Sequence, residues 1–193
     1  MTTFKVITWN VENLFRPAPG TTAADQQRFQ NKLTLLVHII NQQNPDVVAL
    51  QEIGSEEPLQ NLQHALQGNY PPRAVSAFPD RRGIRVAFLS KLSLDYQTDI
   101  VDFPPGPALD IHGLTGTGDT SSITRMGRGA LQIRVTKNGL TVDLITAHLK
   151  SKLLTFPRPG TESSFTPRTE EERVQVAGIA LMRRTAEAAT LRI

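Results

Sequence analysis

The stretch PDVVALQE at residues 45–52 sets the plan of the fold. Asn44 and Pro45 end any helix that precedes them, because a residue before proline avoids helical backbone angles. Residues 46–50, DVVAL, then form a short apolar strand of the kind that is buried on both faces of a sheet. Gln51 and Glu52 follow at once, so two polar side chains stand where this strand ends.

The segments before this strand complete a β-α-β unit. Residues 4–9, FKVITW, alternate and are rich in β-branched and aromatic types, which predicts a strand. Residues 25–43 carry apolar side chains at helical spacing, which predicts an amphipathic helix with Phe29, Leu33, Leu36, Val37 and Ile40 on its buried face. This order implies a parallel or mixed sheet with a right-handed crossover.

The remainder of the chain continues the mixed α/β pattern. Helices are predicted at residues 56–67 and 169–192, and strands at 84–89, 93–101, 129–136 and 140–147. Asn138-Gly139, between the last two strands, is the strongest short signal for a hairpin turn. Two irregular loops rich in proline, 102–122 and 153–169, are long enough to predict a functional role, and we expect them to set specificity.

Composition narrows the class of protein. The chain has 193 residues and no cysteine, which suits one domain and excludes disulfides, thiolate metal sites and cysteine nucleophiles. No signal-peptide pattern and no membrane-spanning apolar run is present, so we expect a soluble, cytoplasmic protein. The net charge of +3 mildly favours polyanionic partners, although so small an excess is usually just a solvated surface.

Polar residues follow three of the predicted strands. Asn10 ends the first, Gln51 and Glu52 end the second, and His148 ends the strand at 140–147. Each alone is explained by a turn, a helix cap or a solvated strand end. Together they predict one site, because ligands gather beyond the carboxyl ends of strands in α/β sheets. A carboxylate, an amide and an imidazole suit a hard cation such as Mg²⁺, which prefers oxygen ligands and keeps several waters.

Five blocks of the sequence resemble the Mg²⁺-dependent endonuclease/exonuclease/phosphatase superfamily. They occur in the family's order over residues 4–152: ITWNVENLF, PDVVALQEI, DRRGIRVAFLSK, GRGALQIRV and TAHLKSK. The second is the most specific, since its glutamate matches the family's metal ligand. The resemblance implies a two-sheet α/β sandwich of deoxyribonuclease type, with a mixed sheet and helices on the outer face.

The resemblance also implies roles for individual residues. Glu52 would coordinate Mg²⁺, or Mn²⁺ in its place, and Asn10 would contact the ion or the scissile phosphate. His148 would lie beside the phosphate as a donor. Arg128 would contact the phosphate, with Arg125 as the rival choice and Lys150 as a further basic residue; a solvated rim charge is the alternative reading for Arg128 and Lys150. Asp80 is the candidate carboxylate partner of His148.

The sequence departs from the family pattern after residue 152. Two later motifs are missing: Gly-Asp-x-Asn, which activates and orients the attacking water, and Ser-Asp-His, which contacts the phosphate. We therefore expect residues 1–193 to be a single domain truncated before these motifs. We also expect the second sheet to come largely from the missing part, which leaves one inner sheet face for that part or a partner chain to cover.

Two functions follow as hypotheses. The first is a phosphodiesterase or phosphomonoesterase that uses metal-assisted, in-line attack of water, with the 193-residue chain alone inactive. The second is a non-catalytic remnant or half-domain that binds nucleic acid or a partner chain. DNA, RNA, phospholipid, inositol phosphate and small phosphoesters all stay open as substrates.

Overall fold

The computed structural model describes residues 3–71, 73–105, 109–160 and 163–192. The chain divides into two compact units. The first unit comprises Met1–Ile100 and Arg128–His148, and the second comprises Val101–Gly127 and Leu149–Ile193. The prediction of a single, truncated domain over residues 1–193 stays a prediction.

The first unit opens with the predicted β-α-β element, formed by β1 (Val6–Leu14), α1 (Ala23–Gln43) and β2 (Val47–Ile53). The Thr22 side chain accepts a hydrogen bond from the Asp25 backbone N–H at the start of α1, which satisfies a donor that the helix leaves unpaired. Asn44 ends α1 in the left-handed conformation, one residue before proline. Strands β1 and β2 pair in parallel, as the sequence predicts.

A mixed four-stranded sheet, the first sheet, has the order β1-β2-β4-β3. Strand β4 (Arg85–Ser90) pairs antiparallel with β2, and β3 (Arg73–Val75) pairs antiparallel with β4. Helix α2 (Glu56–Ala65) follows β2. Strand alternation divides the apolar side chains between two faces. Val48, Leu50 and Leu89 pack with α1 and α2 on the outer face, and Val47 and Phe88 point to the inner face.

A second sheet of the same unit covers that inner face. Its order is β5-β8-β9, with bounds Leu94–Asp102, Arg125–Lys137 and Leu140–Thr146. Strands β8 and β9 form the predicted hairpin, and Leu131, Ile133 and Val135 of β8 pack on the inner face of the first sheet. The expected α/β sandwich is therefore present. The expectation that this inner face lacks a cover is wrong, because the chain supplies covering strands itself.

The second unit contains short strands and one long helix. Strands β6 (Ile111–Leu114) and β7 (Thr120–Ile123) pair antiparallel, as do β10 (Phe156–Pro157) and β11 (Ser163–Ser164). They lie in the two segments predicted as irregular loops, parts of which fall outside the described residues. Their runs of two to four residues are too short to show strand alternation, so the sequence does not reveal them.

The last helix of the second unit, α3, spans Glu170–Thr190 and begins where predicted, with Thr169 accepting a hydrogen bond from the Glu172 N–H. Its buried face carries two glutamates. Glu172 accepts hydrogen bonds from Arg158 and Arg168, and Glu187 accepts one from the backbone N–H of Gly127, so both carboxylates are paired. No described helix is long and apolar enough to cross a membrane.

Candidate functional site

Three predicted residues meet at one edge of the first unit. The prediction that Asn10 and Glu52 end their strands is wrong, because β1 continues to Leu14 and β2 to Ile53. The two residues are nevertheless close, since β1 and β2 are parallel neighbours, and His148 follows the end of β9 as predicted. The Asn10 Nδ2 donates to Glu52 Oε1 at 3.1 Å, and His148 Nε2 lies 3.6 Å from the same oxygen. The Glu52 and His148 side chains are 15% and 19% exposed, so the cluster is accessible but largely shielded. The roles predicted for these residues stay predictions.

Irregular backbone brings Glu52 into this cluster. The β1–β2 register shifts between Asn10 and Leu14, and the β2–β4 register shifts between Gln51 and Ile53. Glu52 has φ of 67°, in the left-handed region that costs a non-glycine residue about 1–3 kcal/mol. A bulge of this kind re-aims a side chain that regular alternation would send to the other face.

A largely shielded ion pair lies beside the cluster. Arg128 Nη2 donates to Asp80 Oδ2 at 2.8 Å, and the two side chains are 16% and 14% exposed. The other oxygen, Asp80 Oδ1, accepts from the backbone N–H groups of Arg82 and Ile84, which fixes the carboxylate in its own loop. The pairing of Asp80 with His148 stays a prediction; among the described residues, the hydrogen bonds of Asp80 run to Arg128 and to this loop.

The environment of His148 favours the neutral imidazole. Burial lowers the pKa of His148, and the positive charge of Arg128 lowers it further, against the raising effect of Glu52 and Asp80. A neutral ring carries one N–H donor and one acceptor nitrogen. His148 Nδ1 and Arg128 Nη1 are both buried and have no hydrogen-bond partner within the described part of the chain. Two polar atoms in and beside this cluster are therefore unpaired and shielded from solvent in the described part of the chain.

The remaining predicted residues belong to the second unit. Arg125 begins β8, and Lys150 lies between β9 and β10. The Lys150 Nζ donates to the carbonyl oxygens of Ser151 and Leu153, while its backbone N–H donates to Glu187. The phosphate contacts predicted for Arg125 and Lys150 stay predictions.

The donor set in the first unit has the chemistry of a hard-cation site. Glu52 offers a carboxylate, while the Asn10 amide turns its nitrogen to that carboxylate and its oxygen accepts from the Glu12 backbone N–H at 2.9 Å. No group of three or more acidic, histidine or cysteine side chains suited to a metal occurs among the described residues. A single carboxylate fits Mg²⁺, which keeps several waters and takes few protein ligands. The same residues fit a thiophilic ion poorly, because none of them carries sulfur and the chain has no cysteine.

One set of contacts beneath the site escaped the sequence analysis. The Gln51 side chain donates to the hydroxyls of Thr8 and Thr146, in both sheets of the first unit. Strand alternation in the sequence could have predicted this contact, since it places Thr8, Gln51 and Thr146 on the inner faces of their sheets. A different feature, a groove of about 810 Å³ between α1 and α2, is lined by none of the predicted site residues.

Comparison with known proteins identifies the family. The sequence profile of the Endonuclease/Exonuclease/phosphatase family matches residues 7–187. The chain belongs to this family. Members of the Endonuclease/Exonuclease/phosphatase family are generally hydrolases of phosphoester bonds and generally use divalent metals. The resemblance seen in the sequence is thereby confirmed.

A solved structure supports the same fold. The chain is similar to an endonuclease/exonuclease/phosphatase family protein from Leptotrichia buccalis C-1013-b, with a TM-score of 0.52 and 16% sequence identity. The match covers 76% of this chain and 54% of that chain, so this chain spans about half the length of its solved relative. No curated protein matches the sequence. The predicted α/β sandwich of this family is confirmed.

Proposed function

We propose that this chain carries the metal- and phosphate-binding residues of a Mg²⁺-dependent phosphoester hydrolase. The observation that supports the proposal is the cluster of Asn10, Glu52 and His148, with the Arg128–Asp80 pair beside it, in a member of this family. The substrate is a phosphodiester or phosphomonoester, with nucleic acids, phospholipids and inositol phosphates as the candidate classes.

Each residue has a definite task in this proposal. Glu52 and Asn10 hold Mg²⁺ or Mn²⁺, which when bound supplies positive charge to a phosphoryl oxygen and to the leaving oxygen. Arg128 donates to a non-bridging phosphate oxygen, while Asp80 fixes the guanidinium through Nη2. The neutral His148 donates its single ring N–H to the phosphate.

We also propose that the 193-residue chain by itself has little or no activity. The sequence contains neither Gly-Asp-x-Asn nor Ser-Asp-His, the family motifs that orient the attacking water and contact the phosphate. Without a positioned general base, a hydrolysis step loses about 10²–10⁴-fold in rate. We therefore expect this chain to bind the metal ion while hydrolysing phosphoesters very slowly or not at all.

The experiment measures both properties. Isothermal titration should detect Mn²⁺ binding by the wild-type chain and its loss in Glu52→Ala, with Glu171→Gln on α3 as the control at an exposed carboxylate. Hydrolysis of bis-p-nitrophenyl phosphate and of plasmid DNA should stay near background. Mn²⁺ binding that survives Glu52→Ala would contradict the site, and metal-dependent cleavage abolished by Glu52→Ala would contradict the proposed inactivity.

A second candidate function is binding without catalysis, in a half-domain that associates with nucleic acid or a partner chain. The observation in its favour is the apolar surface of α3, where Val174, Leu181 and Met182 are 70%, 67% and 51% exposed. Under this alternative, the chain would bind DNA or a partner chain equally well with and without Glu52→Ala.

A further inference from the structure

A polar contact lies directly beneath the three site residues of the first unit. Gln51 Nε2 donates to Thr8 Oγ1 at 3.1 Å and to Thr146 Oγ1 at 2.8 Å. Thr146 is only 3% exposed, so its hydroxyl has little access to solvent. A donor removed from this setting leaves a largely buried acceptor unsatisfied, which is unfavourable.

The sequence positions of these partners match those of the site. Thr8 precedes Asn10 by two residues on β1, and Thr146 precedes His148 by two residues at the end of β9. Gln51 immediately precedes Glu52 on β2. One carboxamide therefore connects the three strands that carry Asn10, Glu52 and His148, and it connects the first sheet to the second.

The bulge makes Glu52 dependent on this anchor. In a regular strand, neighbouring residues point to opposite faces, so Gln51 and Glu52 would diverge. The left-handed Glu52 and the shifted register instead bring its carboxylate to Asn10, on the side that Gln51 faces. A residue held in an unfavourable conformation keeps it only when its surroundings over-determine it. The tie from Gln51 to both sheets is such a constraint.

We propose that Gln51 is a positioning residue, which holds the ends of β1, β2 and β9 in the register that brings Asn10, Glu52 and His148 together. It contacts neither the metal nor the phosphate; it acts through Thr8 and Thr146. The consequence for metal binding rests on the function proposed above, whereas the consequence for the geometry of the Asn10–Glu52 contact does not.

Two readouts test this proposal on the 193-residue chain. The first is the side-chain amide signal of Asn10 in metal-free ¹H–¹⁵N spectra, which Asn10→Asp identifies by its loss. The second is Mn²⁺ affinity, measured from free Mn²⁺ by electron paramagnetic resonance. Gln51→Met should shift the Asn10 signal and weaken Mn²⁺ binding by about 10–100-fold, the usual effect of losing a group that supports a ligand.

Matched variants separate positioning from general destabilisation. Gln97→Met makes the same change on an exposed residue of β5 and should leave both readouts at wild-type values. Thr146→Val removes the hydroxyl acceptor and should reproduce the effect of Gln51→Met, whereas Thr146→Ser keeps the hydroxyl and should not. If Gln51→Met does not fold, the comparison of Val with Ser at position 146 carries the test.

The outcomes are distinct. An unmoved Asn10 signal in Gln51→Met and Thr146→Val, together with Mn²⁺ affinity equal to that of Gln97→Met, overturns the positioning role. Mn²⁺ binding that is indifferent to Glu52→Ala overturns the proposed function instead, and the Asn10 signal then still decides the role of Gln51.

Discussion

The Arg128–Asp80 pair allows a sharp test, because the chain contains a second Arg–Asp pair that is more exposed and has two side-chain hydrogen bonds instead of one. The substitution Asp80→Asn removes the charge facing Arg128 but keeps an oxygen for the N–H groups of Arg82 and Ile84. The comparison substitution is Asp143→Asn. Asp143 accepts two hydrogen bonds from Arg134, at 2.9 and 2.8 Å.

The expected magnitudes follow from burial. Arg128 and Asp80 are 16% and 14% exposed, so Asp80→Asn leaves a mostly desolvated guanidinium without its counter-charge. Breaking a fully buried pair costs about 3–5 kcal/mol, and partial exposure brings our expectation to about 2–3 kcal/mol. Arg134 and Asp143 are 48% and 41% exposed, and solvent-screened pairs of that kind contribute about 0.2–1 kcal/mol.

Urea denaturation of wild type and both variants measures the two losses under one set of conditions. Both pairs lie within the first unit, so the same unfolding transition reports on each. If Asp80→Asn and Asp143→Asn lose the same unfolding free energy, burial does not decide how much each ion pair contributes to stability, and the reasoning is refuted.

Three further predictions concern stability. Burial, with the charge of Asp46, raises the pKa of Tyr70 to about 12. Because the Tyr70 phenol then ionises in the unfolded chain before it ionises in the folded chain, the unfolding free energy should fall as pH rises from 10 towards 12. Urea titrations should show that this fall is absent in Tyr70→Phe and retained in Tyr96→Phe. A hydrogen bond from the Arg168 backbone N–H, with the side chains of Arg168 and Arg158, lowers the pKa of Glu172 to about 2. The stability that this carboxylate contributes is therefore present above pH 4.5 and is lost as pH falls towards 2. Unfolding followed by circular dichroism should find Glu172→Gln less stable than wild type near neutral pH and less sensitive to acid between pH 4.5 and 2. Ile133 is fully buried between the two sheets, and Ile133→Ala should cost about 2–5 kcal/mol in urea denaturation, with a loss below 1 kcal/mol contradicting the observed packing.

Local patterns predicted much of the first unit. The parallel β1–β2 pair and the helix between them follow from apolar spacing and from Asn44-Pro45, and the β8–β9 hairpin follows from Asn138-Gly139. These signals work because strand alternation, helical periodicity and turn chemistry each act within a few residues. The short pairs β6–β7 and β10–β11 carry no such signal, so the sequence predicts loops there.

The covering of the inner sheet face shows a different limit. Leu131, Ile133 and Val135 alternate as a half-buried strand should, but alternation does not say which surface the strand covers. Packing between the sheets depends on side chains far apart in the chain, from Val47 to Val135. From the sequence this face is therefore expected to be open, although the chain covers it.

The sequence by itself determined the family, the α/β class and the position of His148 after a strand, because motif order and strand periodicity are local properties. It placed Asn10 and Glu52 at strand ends, whereas β1 continues to Leu14 and β2 to Ile53. Only the tertiary structure decided that Glu52 turns back towards Asn10 through a left-handed residue, that Arg128 pairs with Asp80, and that Gln51 ties both sheets beneath the site. Those features depend on contacts between residues more than 40 positions apart, and no pattern within a strand or a turn encodes them.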